Sequence, residues 1–307
     1  MELSKNEVDL NEFFNVIIDG KWFIGGITAF ISIIAIVYSL SLPNIYKSSA
    51  LLVVEKNSSD SLSGALGSYS GIANLTGITL PTGGNISNKK EAIEKINSLS
   101  FFENYIMPNI LLPELMAVKS WNSDSNELIF DKKIYNKKSN IWTRDVSSTG
   151  YKIPTIQESY AEFHEEHLYL SEDAKTGFVT LSIKHQSPYV AKKWVELFVD
   201  KINLFYREKD KKESMKAISY LNERIGKTSY TEIKQAIASL IQVETQKLTM
   251  IEVNEFYVFD YIDPPAVMEH KAEPKRALIC ILGAILGTLL GSIMVLVNHY
   301  KNHLKIN

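Results

Sequence analysis

The densest set of potential metal ligands in this 307-residue chain is Glu162-Phe163-His164-Glu165-Glu166-His167. Imidazole and carboxylate together suit a divalent ion, but the histidines stand three apart, fitting neither H-E-x-x-H nor H-x-x-E-H, and no third ligand is evident. The run reads as a solvated helix face. Gly226-Lys227-Thr228 has the ending of a phosphate loop, yet Leu221 occupies the position of the required upstream glycine and no strand precedes it, so Gly226 reads as a helix end. In GSYSG, residues 67–71, the nucleophile position of an elbow holds Tyr69. Arg207, Lys209, Lys211 and Lys212 alternate with Glu208, Asp210 and Glu213. Mixed signs of that kind mark a solvated helix, or ion pairs to a neighbouring helix, and not a nucleic-acid groove. These four cations are candidates for contact with a partner subunit or a polymeric ligand. No catalytic set, cofactor site or metal site emerges.

The elements that hold these residues begin with two uncharged apolar runs, 22–42 and 277–297. At about 1.5 Å per residue each is long enough to cross a hydrocarbon core of roughly 30 Å. A cleaved signal peptide is the alternative for the first, but its leader carries Glu2, Glu7, Asp9 and Glu12 and its apolar stretch is too long. Two spans leave tails 1–21 and 298–307 on one side and a single large loop, 43–276, on the other. Flanking lysines and arginines do not decide which side, because long loops translocate largely regardless of charge. The lone Cys280 lies in the second span, so no disulfide can form within the chain. That span also places Gly283, Gly287 and Gly291 on one face, where another helix can approach closely. Its partner is either the first span, with Gly25 and Gly26, or a second protomer.

Within the loop, Ile45–Glu55 reads as a strand, and 58–85, rich in Gly and Ser, as a long loop. Asn88 with Glu91 predicts a helix start, and Ile93, Ile96, Leu99, Phe102 and Ile106 continue at helical spacing up to Pro108. Residues 109–160 give only short helices and turns. His167–Ser171 and Phe178–His185 flank a turn at Gly177, which predicts a β-hairpin. From Pro188 to Gly226 a helix of roughly 37 residues, about 55 Å, is predicted. Ser229 with Glu232 caps a returning helix over 229–253, and Phe256–Ile262 is a strand that leads to Pro264. Strands bracketing the loop should pair with each other.

The expected fold is therefore an α+β membrane protein. Two transmembrane helices flank a membrane-proximal α/β base (43–187 and 254–263), a long projecting helical hairpin (188–253) and a Pro-rich joint (263–276) holding Pro264, Pro265 and Pro274. Proline fixes φ and lacks an N–H, so the first two end the strand and Pro274 opens the next element.

This layout resembles the Wzz-type polysaccharide co-polymerases, the chain-length determinants of bacterial glycans. The resemblance rests on the acidic N-terminal tail, the first span ending near Pro43, the strand IYKSSALLVV, the long helix, and above all DPPAVMEHKAEPKRALICILGAILG, prolines followed at once by a Gly-rich span. It implies a multi-pass bacterial inner-membrane protein with the loop in the periplasm, both tails in the cytoplasm, and a homo-oligomeric ring. It implies no enzyme activity and no cofactor. The implied partners are a membrane glycan polymerase, the growing polysaccharide or its lipid-linked form, and inner-membrane lipid, with no nucleic acid. Because only His299–Asn307 follow the second span, the form without a kinase half is implied, acting on O-antigen or a related glycan. Two other classes remain open: a two-span periplasmic ligand sensor, and a membrane-anchored metal hydrolase using His164 and His167.

Overall fold

The computed structural model describes residues 10–54, 85–145, 150–254 and 256–306, so the Gly/Ser loop expected over 58–85 lies outside the described residues except for Asn85. In chain order, α1 (Leu10–Asp19) and α2 (Lys21–Ser41) precede β1 (Tyr46–Val54) and α3 (Asn85–Ile96). Then come α4 (Leu112–Met116), the short hairpins β2 (Val118–Asn122) with β3 (Glu127–Phe130) and β4 (Tyr135–Asn136) with β5 (Ile141–Trp142), and α5 (Ile156–Glu162). The sequence closes with β6 (Leu168–Glu172), β7 (Val179–His185), α6 (Pro188–Lys227), α7 (Thr231–Val253), β8 (Phe259–Asp263) and α8 (Arg276–Ile306). The chain divides into two compact units, one formed by the residues up to Ile45 together with those from Lys271, the other by Tyr46–His270.

In the first unit, Lys21–Ser41 and Arg276–Lys301 are long and apolar enough to cross a membrane. The N-terminal tail contains helix α1 and runs almost without interruption into α2: Gly20 N–H donates to the Val16 carbonyl and the Gly20 carbonyl accepts from Ile24. At the other end of α2, Ile45 N–H donates to the Glu273 carbonyl at 3.0 Å.

The second unit is built on an antiparallel sheet of order β6-β7-β1-β8. Strand β1 alternates, turning Ser48, Ala50 and Leu52 inward, as a half-buried strand must when successive side chains point to opposite faces. The strands at the two ends of the loop pair, with Leu52 opposite Tyr261 and Val54 opposite Phe259. Asp173 and Phe178 close the β6–β7 turn, where Gly177 takes φ +72°, open to a residue without Cβ.

Helix α6 covers this sheet with its first five turns only. Trp194, Val195, Phe198, Val199 and Ile202 are all at most 1% exposed and pack with Leu52, Leu181, Ile183 and Phe259, while Phe101, Phe102 and Phe163 complete the core. At 40 residues the helix is about 60 Å long. Beyond Tyr206 its contacts pass to α7 through a second small cluster around Leu221, Ile237 and Leu240.

Several boundaries differ from expectation for local reasons. The helix predicted through Ile106 breaks at Ser98, which is extended and accepts from Phe101 N–H as a cap, and a π turn, Phe102–Ile106, follows. Gly226 remains helical; the stop falls at Thr228, extended, whose hydroxyl donates back to the Arg224 carbonyl at 3.0 Å. The Ser229–Glu232 cap does not form, because α7 starts after Tyr230 with no side-chain cap. The run Phe163–His167 is a π turn that sends Phe163 (0% exposed) and His167 (6%) into the core, which corrects its reading as a solvated face.

Candidate functional site

Four places hold the residues singled out by type and spacing. The first is the glycine face of α8. Gly283, Gly287 and Gly291 are buried while most of their helix is exposed, and the helix they face is α2 of the same chain. A Cβ on Gly287 would lie 2.8 Å from Thr28 Cα, one on Gly291 3.1 Å from Ile24 Cα, and one on Gly283 2.5 Å from Ala35 Cβ. Thr28 and Thr288 bring their hydroxyls to 3.3 Å in the same seam. Gly25 and Gly26 take no part: nothing lies within 4 Å of a Cβ built on either. The seam is thus formed by Gly283, Gly287 and Gly291 on α8 with Ile24, Thr28 and Ala35 on α2, and the paired glycines of α2 look elsewhere.

The second is the proline run. Strand β8 ends at Asp263, next to exposed Pro264 and buried Pro265, and the Ala266 carbonyl accepts from Ser48 Oγ at 2.8 Å. In the other unit, the Glu273–Pro274 peptide is cis and α8 starts at Arg276. Asn44 Oδ1 there accepts from Lys271 at 3.3 Å and from Arg276 at 3.2 Å. The prolines therefore stand on both sides of the boundary between the two units, Pro264 and Pro265 in one and Pro274 in the other.

The third is the cationic stretch of α6. Arg207 donates to the Asn254 carbonyl at 2.6 Å, Lys209 pairs with Glu91 at 2.8 Å, and Lys211 pairs with Glu252 on α7. Lys212 instead lies beside Met215 and Lys216 on an exposed face of the helix. Exposed pairs of this kind contribute about 0–1 kcal/mol each, so they set the register of α6 against α7 and α3 more than they hold the hairpin together.

The fourth is the histidine set, and the structure does not bring His164 and His167 together. His164 packs on Tyr160 with ring centroids 4.6 Å apart, whereas His167 donates from Nδ1 to the Lys184 carbonyl at 2.6 Å. The ring beside His167 is His185, 5.8 Å away, and Trp194 lies against both. His185 Nδ1 accepts from Ser187 N–H at 2.9 Å, so its proton sits on Nε2 and is donated to the Glu114 carbonyl at 3.0 Å. Both nitrogens are thus engaged by the neutral ring. Among the described residues no cluster of three or more His, Cys, Asp or Glu could hold a metal ion.

Burial first, and the neighbouring His167 second, push the His185 pKa from 6.5 down to about 3; burial pushes His167 down as well. A base whose folded pKa is depressed weakens the fold as pH falls, because the unfolded chain takes up the proton first. Between pH 7 and pH 5, His185 alone should remove about 2 kcal/mol, and for a domain of this size the thermal midpoint should drop by about 4–8 °C. His185→Gln, which keeps a donor near the Glu114 carbonyl and cannot titrate, should flatten that fall. Thermal scans of Trp fluorescence at both pH values check it, and a wild-type midpoint independent of pH would exclude the buried pair as an acid-sensitive element.

One residue that spacing did not single out has the most polar contacts in the core. Asn203, 5% exposed on α6, accepts at Oδ1 from the N–H groups of Tyr257, Val258 and Phe259 at 3.3, 2.7 and 3.0 Å. Its Nδ2 donates to the Phe259 carbonyl at 2.9 Å. Three consecutive N–H groups leading into β8 are thus held by one side chain of α6. The sequence does contain a signal, an amide four residues from Val199 on a helix face otherwise apolar.

Residues 6–107 match the family model of Wzz, chain length determinant protein. No curated protein matches the chain. Among solved structures, a full-length bacterial polysaccharide co-polymerase aligns over 97% of this chain and 99% of its own at 15% identity, with a TM-score of 0.41. A fragment of WzzB, polysaccharide co-polymerase from Salmonella Typhimurium, aligns over 75% of this chain and 100% of its own at 13% identity, with a TM-score of 0.29. The matched stretch contains the first apolar helix, strand β1 and the helix that follows them, and over these elements the N-terminal third of the chain is similar to the Wzz chain length determinant domain.

Proposed function

We propose that this protein is a non-catalytic regulator of polysaccharide chain length, acting on the O-antigen of lipopolysaccharide or a related glycan. The observation that carries this reading is the Wzz match over residues 6–107. In it, the chain sits in the bacterial inner membrane through α2 and α8, with residues 43–276 in the periplasm and both termini in the cytoplasm. It assembles as a homo-oligomeric ring beside a membrane glycan polymerase and governs how long the polymerase retains its growing product.

Three features support the reading. Two helices are long and apolar enough to cross a membrane. The hairpin of α6 and α7 offers an extended surface on which copies can pack, and Lys211 and Lys212 of the cationic stretch lie on an exposed face of it. Pro264, Pro265 and Pro274 each fix φ along the segment that leads from β8 to α8.

Deletion of the gene should disperse glycan lengths on a silver-stained gel without abolishing synthesis. Reintroduction of the full chain should restore a single modal length. Unchanged lengths in the deletion strain would remove the proposal; native mass measurement in nanodiscs separately tests the ring, which a stable monomer would contradict.

A further inference from the structure

A groove runs along α6 beside β8, which is an edge strand of the sheet. Glu196, Asp200, Lys201 and Arg207 line it from the helix, and Phe256 and Tyr261 from the returning chain. Along the helix, Glu196, Asp200 and Arg207 follow at steps of four and seven, one face, and span roughly 16 Å at 1.5 Å per residue. The two aromatic rings meet edge to face, centroids 5.6 Å apart, so the pair cannot stack closed on itself.

The chemistry of this lining selects against simple ligands. A small anion would meet Glu196 and Asp200, a metal ion would meet Lys201 and Arg207, and a purely apolar ligand would desolvate Asp200 and Lys201 together with Glu196, which pairs with Lys192, and Arg207, which donates to the Asn254 carbonyl. A ligand that suits it must accept from cations, donate to carboxylates, and present an apolar face to Tyr261 and Phe256. A pyranose chain has all three: hydroxyls that donate and accept, and ring C–H faces that cover an aromatic side chain. Asp200 is also poised for a donor. Burial and then the charge of Glu196 raise its pKa, with Lys201 acting against them, and burial followed by Asp200 and Glu196 raises that of Tyr261, so a hydroxyl that donates to Asp200 would offset part of what burial costs its charged form.

We infer that the groove between α6 and β8 is a binding site for an oligosaccharide segment of the regulated glycan, with Glu196 and Asp200 accepting from sugar hydroxyls, Arg207 and Lys201 donating to sugar oxygens, and Tyr261 and Phe256 covering a ring face. This rests on the proposed function for the identity of the glycan. The lining residues give the chemical class.

The probe is the strain's own surface polysaccharide, cleaved by mild acid and sized into short oligosaccharides, added to the full-length protein in nanodiscs. Saturation-transfer NMR should show magnetisation passing from protein aromatic protons to sugar-ring C–H groups. Loss of one charge-assisted hydrogen bond corresponds to about tenfold in affinity, so Asp200→Asn should weaken binding by about that factor. Tyr261→Leu, which keeps apolar bulk in the strand, should weaken it similarly with an unchanged unfolding midpoint. Unaltered transfer in both variants would overturn the site. So would a loss of oligomer mass in these variants with sugar binding intact, since the groove would then face another copy of the chain. If wild type gives no transfer while the deletion strain still shows dispersed lengths, the site falls and the regulator reading stands; undispersed lengths would bring down that reading instead.

Discussion

Asn203→Ala should cost the domain about 4 kcal/mol and lower its thermal midpoint by about 8–16 °C, the largest effect expected of any polar substitution in the loop. Alanine leaves the N–H groups of Tyr257, Val258 and Phe259 and the carbonyl of Phe259 without the partner they have now. Tyr257, Val258 and Phe259 are each at most 5% exposed, so water cannot simply replace the amide. Each buried group left unpaired costs about 1–3 kcal/mol, and four groups on one side chain will not add in full. Alanine is also the better helix former by up to about 0.7 kcal/mol, so the measured loss would understate what the contacts contribute. Asn203→Asp separates the two halves of the clamp. It keeps an acceptor for three N–H groups and turns an oxygen towards the Phe259 carbonyl, so a smaller loss than that of alanine is expected. Denaturant unfolding of both variants gives the comparison; an alanine variant within about 1 kcal/mol of wild type, by the same measure about 2–4 °C or less, would mean that the return of the chain into β8 is held by the β1 ladder alone.

The parts of the fold that were legible in the sequence are those in which one short-range rule acts over many residues. Two uncharged runs, a period of three and four from Pro188 onward, and a glycine between two β-branched stretches each repeat or punctuate a signal that nothing else in the chain contradicts. The pairing of β1 with β8 followed from a single requirement, that an isolated strand leaves its backbone groups unsatisfied. What was not legible depends on contacts across the sequence. The π turn at Phe163–His167 places one histidine in the core and leaves the other outside because Phe163 stacks on Phe198, 5.2 Å away, and no local pattern encodes that partner. The helix predicted through Ile106 had the right spacing, but Ser98 preferred its cap, a local competition that periodicity does not weigh. Residues 109–160 were opaque for a related reason: β2–β3 and β4–β5 are hairpins of two to five residues per strand, too short for alternation to show.

The candidate surfaces divide along the same line. The glycine face could be read from spacing alone, but its partner could not, since any close-packing helix satisfies three glycines in register. The cationic stretch could be read as charged, while the partners of Arg207, Lys209 and Lys211, the Asn254 carbonyl, Glu91 and Glu252, appear only once α3 and α7 are in place. The groove beside β8 combines residues 56 to 65 positions apart, Glu196 and Asp200 with Phe256 and Tyr261, and its aromatic wall exists because Asn203 holds the returning chain against α6. That clamp is thus a condition for the proposed site, and a variant that frees it should lose sugar binding together with stability.

Gly287→Leu should separate α2 from α8, because at that position the obstacle is backbone. A Cβ there would stand 2.8 Å from Thr28 Cα, and no rotamer of the neighbour can move a Cα aside. At Gly283 the nearest atom is the Ala35 methyl, also fixed, at 2.5 Å. Without a hydrophobic drive between helices in lipid, close packing and the hydroxyl contact of Thr28 with Thr288 are what remain to hold the pair, and bulk in the seam removes both. Overpacking of a close-packed site costs about 1–3 kcal/mol, which corresponds to about tenfold to hundredfold in the population of the packed pair. The hydroxyl contact supplies the measurement. With Cys280 replaced by Ala, cysteines at positions 28 and 288 should form a disulfide on mild oxidation, since their side-chain oxygens now lie 3.3 Å apart. Adding Gly287→Leu should slow that reaction by the same tenfold to hundredfold, and Gly287→Ala by less. Gly25→Leu should leave it unchanged, because nothing lies within 4 Å of that position. Equal cross-linking rates in the Gly287 and Gly25 variants would show that the two helices are not held by the glycine face.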